Sequence, residues 1–594
     1  MSIRTQRHGP LHNPDDGTTR FTLWAPNATS VELLLWHGER VAMTRDAAGW
    51  YETTLPCTRG TEYRFVINGE LQVPDPVSNA QTDDVSGWSQ VVDHNHYQWR
   101  CTEWRGRPWH ETIIYEVHVG LMGGFAGVIH HLPLLMELGV TAIELMPVHE
   151  FPGGRNWGYD GALLFAPDAS YGTPDDLKNL IDCAHELGIM VFLDVVYNHF
   201  GPEGNYLGQY ASTFFRNDIQ TPWGAAIDFR QQEVRDFFIE NALMWILDYR
   251  IDGLRFDAVH AISDKDFLVE LAMRVRATAP KHHTIHLMLE NEDNSATLLG
   301  NGFDAQWNDD GHNVLHHLLT GEHEGYYADF SRQPTAKLAR MLNEGFIFQG
   351  ESTLKGKQRG EPSAHLPPTA FILFLQNHDQ IGNRAFGERL PRLASQEALQ
   401  AATVLLLLSP MIPLLFMGDE WAAEQPFLYF TDHNPELAKA VRDGRRNEFA
   451  SFSLFGDEQM REQIPDPNAV DTFNQSRLDY SVCLQPGHRE WLGFYRELIA
   501  LRTREITPYL PGSRATGTRI LADKSASARW LLNNGRELRI DLNLSDQVVQ
   551  LDYPWRNQHS LFNYRVDEVS FEQNRLPPLS ALVSLEIPHT EENR

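Results

Sequence analysis

Two periodicities divide the chain. Over the first hundred residues, short strand-like runs recur between turns: FTLWA from Phe21, VELLLW from Val31, a turn at Gly49, and EYRFVI from Glu62 closed by Asn68-Gly69. Regular strand-length runs with an Asn-Gly turn predict a β-sandwich. PDPVSN from Pro74 reads as its exit and a linker. From Thr112 the pattern changes to apolar runs alternating with amphipathic helices, which predicts βα units around a parallel sheet. Eight such runs occur: IIYEVHV (Ile113), TAIELMP (Thr141), IMVFLDVVY (Ile189), GLRFD (Gly253), IHLMLE (Ile285), FDAQWN (Phe303), FILFLQ (Phe371) and IPLLFMG (Ile412). The intervening helices carry their own signals. Thr173-Pro174 supplies an N-cap and a first-turn proline, and Leu177, Leu180, Ile181, Ala184 and Leu187 recur on one face. After the third run, Val234, Phe237, Phe238, Ala242, Trp245 and Ile246 do the same.

Eight strands with intervening helices predict an α/β protein built on a (β/α)8 TIM barrel with loop insertions, over residues 101–504. An N-terminal β-sandwich module over 1–100 precedes it. Past about Glu505 short strands resume around RWLLNNGRELRIDLNL, where Asn533, Asn534 and Gly535 make a hairpin turn, so a C-terminal all-β domain is expected over 505–594. Two connections are long, from Tyr197 through Phe229 and from Asp309 to Pro368, the second containing LKGKQRGE. On such a scaffold long insertions build lids or substrate walls.

Composition narrows the partners. The chain of 594 residues carries 50 Lys plus Arg against 79 Asp plus Glu, a formal net charge of −29. That charge repels phosphate backbones and anionic lipid, which argues against nucleic acid and membrane as partners. Neutral substrates fit better, and the 15 Trp and 18 Tyr suit sugars, whose C–H faces pack on aromatic rings. Cys57, Cys101, Cys183 and Cys483 are widely spaced with no metal-type pairing, so they read as free thiols. The opening MSIRTQRHGP has no apolar core of a secretion signal. A cytoplasmic protein is expected, as a monomer or a homodimer.

In a TIM barrel the reacting groups sit at the C-terminal ends of the strands. Here the third run ends in Asp194, Asn198 and His199, the fourth in Arg255, Asp257 and His260, the fifth in Glu290 and Glu292, and the seventh in His378 and Asp379. Ionised side chains gathered at one mouth repel each other and desolvate at a cost, so such a cluster points to chemistry. Paired carboxylates suit glycoside hydrolysis, in which one attacks the anomeric carbon and the other, protonated, serves the leaving oxygen. Asp257 is the expected nucleophile, with Arg255 two residues earlier on the same side of the strand to hold it ionised. Glu290 occupies the register in its strand that Asp257 has in the preceding one and is the expected general acid and base, with Glu292 as the alternative. Asp379 is the third acid. His199 and His378 are expected to donate to the sugar.

These same segments, DVVYNH, GLRFDAVH, LMLEN and FLQNHD, resemble the four signature segments of the α-amylase superfamily of glycoside hydrolases, in the family's order. The resemblance implies the roles given to Asp257, Glu290 and Asp379, and makes Tyr159 in NWGYD the aromatic platform under the reacting sugar. It places Asp194, His199, Arg255, His260 and His378 with Tyr159 among the substrate-binding residues. FTLWAP, GWYE and PDPVSN resemble the module that precedes the barrel in branching and debranching members. IYEVHVG, NHFGPEGNYL, TPWG, LENED, QNHDQIGNR and FLYFTDHNPELA look most like the members that release trehalose from maltooligosyltrehalose. The implied substrate is an α-glucan oligosaccharide ending in trehalose, cut at the adjoining α-1,4 bond. Glycogen branching is the rival activity and debranching the third, and a non-catalytic glucan-binding barrel is a reading of a different class that the retained acids oppose. The chemistry needs no cofactor, and no acidic cluster predicts a metal. Two features depart from the family: GLMGGFAG is short, and LENED offers two glutamates.

Overall fold

Each of the eight apolar runs forms a strand of the computed structural model: Ile114–Val117, Ala142–Leu145, Met190–Val195, Gly253–Phe256, His286–Leu289, Ala305–Trp307, Phe371–Leu373 and Ile412–Phe416. They pair in chain order, all parallel, and Ile114 opposite Leu414 joins the first strand to the eighth, so the sheet closes into a barrel. Both faces of a closed parallel sheet are covered, which is why these runs are apolar throughout instead of alternating. Every residue in them is buried. The structure describes residues 7–452, 457–553 and 559–586; the opening MSIRTQ, on which the targeting expectation partly rests, lies outside the described residues.

Helices Gly124–Leu138, Pro174–Glu186, Gln232–Leu247, Lys265–Thr278, Asp309–Thr320, Gln396–Leu408 and Pro486–Glu505 follow strands one to four and six to eight, while the fifth strand is followed by the short Ala296–Leu299. The Thr173 cap forms as expected: its hydroxyl accepts from the Asp176 N–H at 3.2 Å and the Asp176 carboxylate accepts from the Thr173 N–H at 2.9 Å. Such a box is worth about 1 kcal/mol.

The N-terminal module is a pair of antiparallel sheets, with Thr18–Trp24 and Trp50–Pro56 central in one and Val31–Leu35 and Glu62–Ile67 in the other. Asn68 and Gly69 both have positive φ, 53° and 80°, as the tight turn after Ile67 requires. At the other end, Arg514–Ala522, Ser525–Leu531, Glu537–Asn543, Ser580–Glu586 and His559–Tyr564 form a five-stranded antiparallel sheet.

The two long connections differ. The one after the third strand ends in the hairpin Phe215–Thr221 and Gly224–Ile227, and it carries Trp223 onto the ring of His199, 4.7 Å between centroids at 14°. The one after the sixth strand is not a single substrate wall. It opens with the barrel helix Asp309–Thr320, and its second helix, Pro334–Glu344, turns its apolar side to the C-terminal sheet. Lys524 donates its backbone N–H to Thr335 Oγ1 at 2.9 Å and Trp530 its indole N–H to the Leu342 carbonyl at 3.2 Å. Leu338, Met341 and Leu342 of this helix are buried, which favours its docking beside that sheet. Among the described residues, no helix is long and apolar enough to cross a membrane.

Candidate active site

The barrel ladder continues one rung past the strands and lands on the acids. The Asp257 N–H donates to the Val195 carbonyl and the Glu290 N–H to the Phe256 carbonyl, each at 3.0 Å. Both residues are therefore held by backbone bonds as well as by side chains. Directly after Asp257 the chain enters the left-handed region at Ala258, φ 41° and ψ 44°. A non-glycine residue pays about 1 to 2 kcal/mol for that conformation. The turn aims the Ala258 N–H at Glu290 Oε2, which accepts it.

Arg255 is fully buried and one of its nitrogens, Nη1, lies 2.7 Å from both Asp257 Oδ1 and Asp194 Oδ2. Its guanidinium sits 4.2 Å above the Trp307 ring, a residue of the sixth strand. Asp194 Oδ2 also accepts the Tyr159 hydroxyl at 2.6 Å. Burial pushes Asp194 up to about 6, against the pull of Arg255 and with the repulsion of Asp257. The Tyr159 ring stacks on His378 at 5.2 Å and 24°, and its hydroxyl is 2.9 Å from His378 Nε2. Gly158 makes that placement possible: its φ is +104° and a Cβ there would lie 2.1 Å from the Pro147 carbonyl oxygen.

Glu290 is the half-buried member of the LENED pair, and Glu292 is exposed. Burial raises its pKa well above the ordinary carboxyl value, Arg255 opposes this, and Asp257, Asp309 and Asp379 add to it. One of its oxygens accepts the Ala258 N–H, and the other is left for a proton. Glu292 points outward with its side chain 57% exposed and pairs loosely with His260, 3.9 Å away. His260 thus belongs to the rim with Glu292, whose N–H reaches its Nδ1 at 3.3 Å, and stands outside the Tyr159–Asp194–Arg255 chain. Asp379 follows Asn377, which caps the short helix His378–Gly382, and its Oδ1 accepts from Asn383 at 3.0 Å. His199 turns Nε2 to the Tyr159 carbonyl at 3.0 Å, and burial lowers its pKa. Asp194, His199, Arg255, Asp257, Glu290, His378, Asp379 and Tyr159 thus come together at the C-terminal ends of the strands, with His260 and Glu292 on the rim.

Three residues of the site escape motif reading. Asp309, the first residue of the helix after the sixth strand, is pushed by burial up to about 7, opposed by Arg359 and reinforced by Asp379. Arg359, from the basic LKGKQRGE stretch, donates to the Glu292 carbonyl at 2.7 Å and pairs with Asp310 at 2.8 Å, so this stretch ties down the acid-bearing loop. Glu116, in the middle of the first strand, holds His378. A charged residue inside an apolar barrel run was a signal for Glu116, since burial of a carboxylate demands a partner.

A closed parallel barrel with paired carboxylates at its C-terminal mouth defines a glycoside hydrolase of α-amylase type. The comparisons agree: the catalytic-domain model of alpha-amylase matches residues 78–239, carbohydrate-binding module 48 (isoamylase N-terminal domain) matches 9–83, and a domain of unknown function matches 513–583. The malto-oligosyltrehalose trehalohydrolase of Deinococcus radiodurans is 41% identical over 84% of this chain and 83% of its own length. A crystal structure of a candidate alpha amylase from Salmonella typhimurium superimposes with a TM-score of 0.91 at 42% identity, over 98% of this chain and all of that one. A 1,4-alpha-glucan branching enzyme of Pseudoalteromonas atlantica is 33% identical over only 42% of this chain and 39% of its own. The chain belongs to the malto-oligosyltrehalose trehalohydrolase family.

Proposed function

We propose that this protein hydrolyses the α-1,4 bond next to the terminal trehalose unit of maltooligosyltrehalose, releasing trehalose and a maltooligosaccharide with retention. Asp257 attacks the anomeric carbon while Glu290 gives its proton to the departing glycosidic oxygen. Water then displaces Asp257, Glu290 takes the water's proton, and both carboxyls return to their starting states. Asp379 stabilises the oxocarbenium-like charge and Tyr159 lies under the sugar ring. His199, Asp194, Arg255, His378 and His260 shape and orient the surroundings.

The observation that carries this reading is the division of labour between two carboxyls. Asp257 is gripped by Arg255, whereas Glu290 is half-buried, accepts the Ala258 N–H on one oxygen and has a raised pKa, as an acid beside a nucleophile must. The malto-oligosyltrehalose trehalohydrolases, matched over most of the chain, support the substrate. All four cysteines are free, which supports a reducing, cytoplasmic compartment.

The test offers equal concentrations of maltopentaosyltrehalose, maltoheptaose and amylose. Rapid trehalose release with slow maltoheptaose cleavage is expected. New α-1,6 branches on amylose without trehalose would make it a branching enzyme. Proton NMR of the first-formed anomer checks retention, and an initial β product would exclude it.

A further inference from the structure

The hydrogen-bond chain beneath the reacting sugar starts at Glu116, in the first barrel strand and 1% exposed. Glu116 Oε2 accepts the His378 backbone N–H at 3.1 Å, and Oε1 lies 2.5 Å from His378 Nδ1. From His378 Nε2 the chain runs to the Tyr159 hydroxyl at 2.9 Å and to Asp194 Oδ2 at 2.6 Å. It then passes through Arg255 to Asp257, 2.7 Å on each side.

Counting protons gives this chain a direction. Asp194, ionised beside Arg255, offers only acceptors, so the single hydroxyl hydrogen of Tyr159 goes to Asp194. The Tyr159 oxygen must then accept from His378 Nε2–H. With a carboxylate at Nδ1 as well, the imidazole holds a proton on each nitrogen. Burial opposes that charge, but Glu116 and Asp379 outweigh it and raise the pKa of His378, against a smaller contribution from Arg255. Asp379 Oδ1 is 3.7 Å from Nε2. His118, just past the first strand, is close enough to feel the His378 charge and has its pKa lowered by burial to about 4, so it adds no charge of its own, while Trp157 and Trp307 pack against the His378 ring.

We propose that Glu116 is a positioning residue: by gripping both the backbone and the ring of His378 it holds an imidazolium that orients Tyr159 and, through Asp194 and Arg255, the nucleophile Asp257. The inference rests on the role given to Asp257 above. Glu144 provides an internal control. It lies opposite Glu116 in the strand register, is equally buried, and neither of its oxygens has a hydrogen-bond partner among the described residues.

Glu116→Gln separates charge from shape, because an amide can donate to Nδ1 and accept the His378 N–H while removing the second imidazole proton. Nitrogen-15 NMR of histidine-labelled protein, with His378 assigned from a His378→Asn difference spectrum, reads the protonation directly. At pH 7 a doubly protonated His378 is expected in wild type and in Glu144→Gln, and a singly protonated one in Glu116→Gln. Trehalose release by Glu116→Gln should fall in kcat roughly 10-fold, the worth of one charge-assisted bond, with KM within about twofold. A neutral His378 in wild type overturns the proposal, as does a folded Glu116→Gln with wild-type kcat. If Glu116→Gln does not fold, the wild-type spectrum decides alone. That spectrum needs no substrate, so a doubly protonated His378 in a protein that releases no trehalose would reject the substrate reading and leave the positioning role standing.

Discussion

Charge is buried both under the barrel mouth and in the C-terminal sheet, and the two sites treat it differently. In the sheet, Arg539 is 3.0 Å from Asp541 and 3.3 Å from Glu586, and its guanidinium lies 3.9 Å over Tyr553. One cation meets two acids on neighbouring strands, and a single nitrogen of the cluster, Arg539 Nη2, lacks a hydrogen-bond partner among the described residues. At the mouth, Arg255 faces Asp194 and Asp257, but Glu144, Glu290, Asp309 and Asp379 crowd the same space. Among the described residues, both oxygens of Glu144, Oδ1 of Asp194, Nδ1 of His199 and both side-chain polar atoms of Asn198 are buried without a hydrogen-bond partner. Each such atom costs about 1 to 3 kcal/mol. The sheet uses its charge to hold strands together, whereas the barrel accepts a loss of stability by leaving polar atoms unpartnered beneath its mouth.

That contrast is broken or sharpened most strongly at the two carboxyls. Asp257→Asn should lower kcat by roughly 10⁴-fold or more and Glu290→Gln by roughly 10³-fold, with Tm unchanged or higher. Glu292→Gln should stay within about threefold, because its side chain is out at the rim. Steady-state kinetics with calorimetry on the same samples checks this, and a larger loss for Glu292→Gln would reverse the assignment.

Arg539→Ala is the mirror experiment. Leaving Asp541 buried beside no cation should destabilise the protein by about 3 kcal/mol, read by urea unfolding, while kcat stays within about twofold. A comparable loss of kcat would mean that the two charge clusters are coupled.

The pH dependence follows from Glu290. Its pKa is raised, so the proton needed for leaving-group departure is retained above the ordinary carboxyl range and lost as pH rises through the shifted value. kcat should therefore fall on the alkaline side by about tenfold per pH unit beyond that value. A flat alkaline limb would count against Glu290 as the acid.

The smallest effect is expected at Glu144, whose pKa burial raises well above the ordinary value, reinforced by Glu116 and Asp194. A carboxyl raised in the folded state contributes stability below its unfolded pKa and loses it as pH rises through the folded one. Glu144→Gln should thus raise Tm by about 1 to 2 °C at pH 9 and change it little at pH 5. Equal shifts at both pH values would indicate packing instead of ionisation.

What the sequence by itself determined was everything governed by neighbours a few residues apart. The eight apolar runs became the eight strands in order, Thr173 became a capping box, and Asn68-Gly69 became a turn, because periodicity, caps and positive φ are local preferences. The acids at strand ends were legible for the same reason, since a strand ends where its apolar run ends. Only the tertiary structure set Glu290 and Glu292 apart, because the turn at Ala258, after another strand, supplies the N–H that Glu290 accepts while Glu292 stays exposed. It alone joined Glu116 to His378, 262 residues apart, and brought Arg359 to the loop of Glu292. It also sent Pro334–Glu344 to the C-terminal sheet, away from the mouth. Each of these depends on which strands become neighbours when the barrel closes, and closure is a property of all eight strands together that no local pattern encodes.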